Sequence, residues 1–330
     1  MALHAVDDLT DAFAATRSFL LPVDLGRWLR LAVLSLFVAG TGGGGGSVPQ
    51  FTFSQGSMPL GPDVGHGAPS LGQFLSANLL SILVLVLAVF LLGLAFTWLG
   101  SVFEFAFLES LRSEAVHVRA YTREYARPGT RLFAFRLVFG LLSAVVMGAV
   151  LLLAMGPLLL GWGPGSLVLL VLAVPVLVVV GILAAIAYVF TTAFVVPIML
   201  AEDRGVLAGW RRLLSLIRSD WTQFAAFALV GLLLTIAIGI LVGIASAIVG
   251  VVIAIPFALL AFGVLAAGIP LFNLVVVAVL AIPLLALLAV AVAVVQVPVQ
   301  TYLRYWALLV LGDVDSSLDV IPDQRDAVRA

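Results

Sequence analysis

Few residues in this chain can do chemistry, and their spacing suits electrostatics better than bond making. Cysteine is absent and the three histidines, His4, His66 and His117, are scattered through 330 residues. No pair of them has the spacing of a metal site, and a thiol nucleophile is excluded. No serine lies in a GxSxG turn or has a plausible histidine partner, so hydrolase chemistry has no support. The run GTGGGGGS ending at Ser47 resembles a phosphate cradle, but it lacks the following lysine and follows no strand. The sequence therefore points to no catalytic residue, no metal, no cofactor and no enzyme.

What remains is a small set of polar groups inside apolar runs. Glu104 and Glu109 stand five apart near one end of a long apolar segment, and Arg136 enters the next one. They could line a polar vestibule. The simpler reading is an arginine that reaches for the interface and pairs with a glutamate, pinning two helices. Gln296 and Gln300, four apart beside Pro298, could line a cavity, but hydrogen bonding to a neighbouring helix is the simpler role. Gly231, Thr235, Gly239, Gly243 and Ala247 recur every four residues, a spacing that serves close helix packing and leaves room for a homo-oligomer.

The elements that must position these groups follow from composition. Apolar residues make up 63% and charged residues 10%, against about 45–50% and about 25% in soluble domains. This implies an all-α, polytopic membrane bundle. All 16 basic residues are arginine, and a net charge of −1 gives no nucleic-acid signature. The N-terminal helix, Val6 to Leu21, ends at Pro22 and leads to a short first span from Leu31 that must recruit the glycines after it. Residues 47–73, rich in Gly, Pro and Ser, read as an outer loop. Further spans are expected at 78–100, 132–153 and 167–197. The uncharged run 224–299 holds 76 residues, so it must be two spans with a break at 266–273, where Gly268, Pro270 and Asn273 cluster. That makes six spans in a membrane domain of residues 1–312, with a short acidic tail at 313–330.

Arginine sets the orientation. The loops between spans alternate between arginine-bearing and arginine-free, which places both termini in the cytoplasm of a cell membrane. Residues 201–224 form a surface helix with Val206, Trp210, Leu213 and Ile217 on one face and Arg204, Arg211, Ser215 and Arg218 on the other. A second surface helix follows the second span, carrying Arg112, Arg119, Arg123 and Arg127 on one face, and ARPGTR at 126–131 breaks it. Lipid headgroups are the expected partners of Arg112, Arg119, Arg123, Arg204, Arg211, Arg212 and Arg218. The recurring order of surface helix, outward span and return span suggests a threefold repeat over 6–108, 109–200 and 201 to the end.

The run TRSFLLPVDLGRWLRLAVLSLFVAGTGGGGG, with VQVPVQTYLRYWALLVLGD near the end, resembles a family of haloarchaeal multi-pass integral membrane proteins of unknown function. The layout around AEDRGVLAGWRRLLSLIRSDW is more distantly similar to the membrane domain attached to some glycerophosphoryl diester phosphodiesterases. In those fusions a separate barrel of about 250 residues does the catalysis, so the resemblance carries over no catalytic residue. The expected function is a non-enzymatic organiser or modulator of the membrane, with protein partners unspecified. The alternative is a small-solute or lipid transporter with a site near the proline-interrupted fourth and sixth spans.

Overall fold

Runs this apolar cannot leave backbone groups unpaired in hydrocarbon, and closing each N–H on a carbonyl of the same segment makes them helices. In the computed structural model every regular element among the described residues, 4–41, 71–161, 163, 167–266 and 270–329, is helical. The order is α1 (His4–Leu20), α2 (Leu25–Thr41), α3 (Leu71–Arg112), α4 (Val118–Glu124), α5 (Ala126–Leu159) and α6 (Leu167–Phe190). A π turn (Thr191–Val195), α7 (Val196–Glu202), α8 (Val206–Ser219), α9 (Trp221–Ala266), α10 (Pro270–Val314), a 3-10 turn (Ser316–Leu318) and α11 (Pro322–Arg329) follow.

Five stretches are long and apolar enough to cross a membrane: Asn78–Arg112, Ala126–Pro157, Val168–Glu202, Trp221–Gly263 and Val279–Val314. The expected first span is not among them. Its described part, α2, has 17 residues, short of the roughly 20 that hydrocarbon demands. The glycine run beyond Thr41, the expected outer loop as far as residue 70 and His66 lie outside the described residues, while the loop's last three expected residues, 71–73, open α3. So do 267–269 at the centre of the expected break, although α9 and α10 end and begin on either side of them. Residues 252–265 continue α9 without interruption.

The long helices stand in a row. α6 packs on α5, α5 on α3, α3 on α2, α2 on α10 and α10 on α9, and α1 lies across α10 and α9. At 46 residues α9 is about 69 Å long, more than twice the roughly 30 Å hydrocarbon core. The excess length ends in a base where the short helices gather, and the protein's core is there. Phe105, Phe107, Leu111, Phe194, Ile198, Leu213, Trp306 and Leu308 are all at most 2% exposed. Away from the base, side chains from Leu79 to Leu92 along α3 are mostly exposed, as are most of those from Leu229 to Phe262 along α9. These surfaces suit lipid, which wets leucine as well as another helix does.

Local chemistry departs from the expected surface helices in two places. Glu114, at φ 52°, lies in the break between α3 and α4, so Arg112 does not share a helix with Arg119. Pro128 stands in the first turn of α5, where a missing N–H costs nothing, so ARPGTR begins a span and does not end a surface helix. Asp203, at φ 47°, closes α7, and the later surface helix starts only at Val206. Arg119, Arg123, Arg127 and Arg131 thus recur every four residues along α4 and the start of α5, all exposed.

Glycine matters where the helices touch. A Cβ on Gly129 would lie 2.7 Å from the Val102 Cα, a backbone atom that cannot step aside. Gly129→Ala should therefore cost about 1–3 kcal/mol, read as a lower unfolding midpoint in detergent. At Gly239 a Cβ would meet nothing within 4 Å. There the same substitution should be neutral or stabilising by up to about 1 kcal/mol through helix propensity.

Candidate polar site at the base of the bundle

Four chain segments meet in the buried base, and three of them bring charge. Arg304 from α10 donates Nη2–H to Oε2 of Glu104 on α3, and Arg136 from α5 donates Nη2–H to Oε1 at 3.0 Å. One carboxylate thus bridges two guanidiniums, with side chains 0% (Glu104), 3% (Arg136) and 9% (Arg304) exposed. The π turn supplies the fourth wall. Widening a helix by one residue releases carbonyls from the regular ladder, and the Thr192 carbonyl accepts from Nη1 of Arg304. Its hydroxyl accepts from Arg136 at 3.0 Å, Ser101 Oγ accepts from the same guanidinium at 3.3 Å, and that group lies 5.1 Å from the centre of the Tyr188 ring. Such a network holds together because nearly every lone pair is used.

The aromatic end of α10 fixes the arginine's height. Trp306 stacks on Phe227 of α9 with centroids 4.2 Å apart, and its indole N–H donates to the Ala5 carbonyl at 2.9 Å. Tyr305 and Tyr302 donate to the carbonyls of Leu111 and Leu9 at 3.3 and 3.4 Å. α10 is thereby tied to α1, α3 and α9 around the charged centre.

Outward along α10 from Arg304 the same buried side carries Gln300 and Gln296, which are 6% and 5% exposed. Neither amide makes a hydrogen bond among the described residues, so the structure pairs neither with a neighbouring helix. Thr301, wholly buried, also leaves its hydroxyl without a partner among them. An unmade bond on a buried polar group costs about 1–3 kcal/mol. Between the two glutamines, Pro298 has no N–H to give to the Val294 carbonyl.

A second ionic cluster closes the base. Residues 313–329 fold back, and Arg329 of α11 pairs with Asp8 at 2.7 Å, Asp11 at 2.9 Å and Asp313 at 2.9 Å. Arg325 pairs with Asp319 at 3.0 Å and Asp313 at 3.4 Å. Gln324 donates to the Arg112 carbonyl at 2.9 Å. Burial pushes the Asp8 carboxyl up to about 7 and the neighbouring Asp313 charge adds to this, against the pull of Arg329.

The arginines expected to meet lipid divide into two groups. Arg112 pairs with Glu109 at 3.6 Å and Arg204 with Glu202 at 3.3 Å, while Arg212 is held by Asp315 at 2.6 Å and Glu202 at 3.7 Å. Arg119, Arg123, Arg211 and Arg218 are exposed and make no ion pair among the described residues. Of the polar groups singled out from sequence, Glu104 and Arg136 meet directly. Glu109 instead accepts from the Tyr125 hydroxyl at 3.1 Å, and burial next to that carboxylate raises the Tyr125 phenol above its ordinary range. Arg304 was legible as the third member of a series every four residues with Gln296 and Gln300. Thr192 and Asp8 carry no sequence signal, since one depends on a π turn and the other on the returning tail.

Removing the bridging carboxylate leaves two buried cations facing each other. Glu104→Gln should cost about 3–5 kcal/mol of stability in detergent, whereas replacing Glu104, Arg136 and Arg304 together by Met should cost far less, because no buried charge remains. At the clasp, an Asp8 pKa above the usual carboxylate range means that the docked form holds a proton which the undocked form releases. The Asp8 contribution is therefore fully present below about pH 4 and is lost as pH rises through about 7. Amide exchange across 322–329, corrected for intrinsic rates, should accelerate between pH 5 and pH 8, and Asp8→Asn should flatten that dependence.

A family model described as a family of unknown function, DUF7544, matches residues 3–321. No curated protein and no solved structure matches the chain. Since the matched residues span nearly the whole chain, including the long apolar helices and the Glu104 bridge, the chain belongs to this family of unknown function, DUF7544.

Proposed function

We propose that this multi-pass protein is a non-enzymatic organiser of the cell membrane that holds anionic lipid headgroups through its arginine-bearing base helices. The observation that carries the reading is the outward face of α8. Leu207, Arg211, Leu214 and Arg218 share that face and are all exposed, Leu207 at 68%, and Trp221, which opens α9 just beyond it, is 67% exposed. Water is a poor surrounding for such a face. At headgroup depth each group has a partner, the apolar residues in the acyl boundary and the guanidiniums on phosphates. The arginine series along α4 and the start of α5 adds a second basic strip without acidic partners among the described residues.

Six crossings with both ends in the cytoplasm fit this reading. Arg329 holds Asp8 and Asp11, so the first and last helices lie together, and a chain whose ends share a side crosses an even number of times. α2, which packs on α10 and α3, then supplies the sixth crossing. Orientation rests on arginine, every one of which lies on a base helix, beside one, or within three turns of the base end of a long helix. The order short helix, outward helix, return helix over α1–α3, α4–α6 and α8–α10 supports a threefold repeat. The non-enzymatic reading rests on the sequence, with its lack of cysteine and its scattered histidines. The transporter reading keeps one observation in its favour, the buried glutamines beside Pro298.

Each arginine near an anionic surface contributes about 1 kcal/mol. Replacing Arg119, Arg123, Arg211 and Arg218 together by Gln should therefore lower the retention of anionic over neutral lipid by well over tenfold, measured by mass spectrometry on protein reconstituted in mixed-lipid nanodiscs. Thermal stability should hardly change, because none of the four makes an ion pair among the described residues. Unchanged retention would remove the basis of the reading.

A further inference from the structure

Three features lie along about 12 Å of α10, beside the bridged arginines. Gln300 and Gln296, one and two turns outward from Arg304 on α10, are 6% and 5% exposed and make no hydrogen bond among the described residues. Pro298 removes one N–H from α10 between the two glutamines, and the π turn that follows α6 meets Arg304 through the Thr192 carbonyl. The charge there is unbalanced, because two buried guanidiniums share one carboxylate. Among the described residues the only other buried acid is Asp8, and it is engaged by Arg329 in the clasp.

From this combination we infer that the interior stripe Gln296, Gln300 and Arg304, with Arg136 behind it, is a binding site for an oxyanion of the phosphate or carboxylate class. The charge surplus selects an anion. The planar guanidiniums select one whose oxygens can accept paired N–H bonds, and the two carboxamides supply the further donors that hold such oxygens. In the conformation described here Glu104 occupies the guanidiniums and acts as the internal counter-ion, so the site is closed. An incoming anion takes its place between Gln300 and Arg304 and relieves both the charge surplus and the unpaired amides. The phosphate class can arrive as a free solute or as the headgroup of an anionic lipid entering between the helices. This site is separate from the exposed arginines of α4 and α8.

The test uses the full chain in phosphatidylcholine nanodiscs, with the thermal unfolding midpoint followed against inorganic phosphate at constant ionic strength. A second arm uses nanodiscs in which phosphatidylglycerol replaces part of the neutral lipid. A saturable rise in midpoint with inorganic phosphate marks a free solute, and a rise with phosphatidylglycerol alone marks a headgroup. In the variant carrying Gln296→Leu and Gln300→Leu, which leaves the Glu104 bridge intact, the apparent affinity should weaken at least about tenfold. Gln300→Glu places a carboxylate beside the surplus charge, so it should raise the midpoint without any probe and abolish the probe's effect. The surface variant with Arg119, Arg123, Arg211 and Arg218 changed to Gln should keep the effect, which separates this site from the headgroup contacts of the base helices. The inference is overturned if neither probe stabilises the protein saturably, or if the double leucine variant responds like the parent.

Discussion

The structure depends on a single carboxylate held between two guanidiniums where no water reaches. Glu104 bridges Arg136 and Arg304, and with the Thr192 carbonyl it joins α3, α5, the π turn and α10 in one ionic knot. A bridge of this kind adds little net stability compared with a well-packed apolar replacement, because removing three charges from water is expensive. Its effect is on geometry. Only one register of the four segments brings these groups together, and any other would leave an ion buried and unpaired.

That restriction matters because the rest of the bundle has little to hold it in register. In hydrocarbon the apolar spans gain nothing by preferring each other to lipid, and the long helices are exposed over most of their outer lengths. Packing is concentrated where they emerge and where α1, α8 and α11 can bury apolar faces from water. The hydrophobic effect acts there in its ordinary form, helped by the Trp306–Phe227 stack and the indole bond to Ala5. The base is therefore the rigid part, and the spans are held from one end.

The two ionic clusters at the base differ in character. The Glu104 bridge sets one carboxylate between two guanidiniums. The Asp8 clasp gathers four carboxylates around two guanidiniums, so burial works against ionisation and the group titrates near neutrality. One cluster fixes the spans and the other ties the chain's ends together with a strength that depends on pH.

Sequence alone determined the class of the molecule, the position of most long helices and the gathering of arginine at one end. These follow from local rules: an apolar run of sufficient length must be helical in lipid, and guanidiniums stay near water or phosphate. It also marked Glu104, Arg136, Gln296 and Gln300 as the polar groups that the spans must accommodate. Only the tertiary structure decided their partners. The widening of the helix at Thr191–Val195 cannot be read from an apolar run, yet it frees the carbonyl that holds Arg304. The break at Glu114 and the helix start at Ala126, with Pro128 in its first turn, moved the arginine series to Arg119–Arg131, because a left-handed residue and an N-terminal proline act through backbone geometry that periodicity does not record. The acidic tail reads as solvated from its composition, but α11 returns to Asp8 because Arg325 and Arg329 find carboxylates on α10 and α1. Pairings across 200 to 300 residues of chain depend on packing in three dimensions, and no local pattern specifies them.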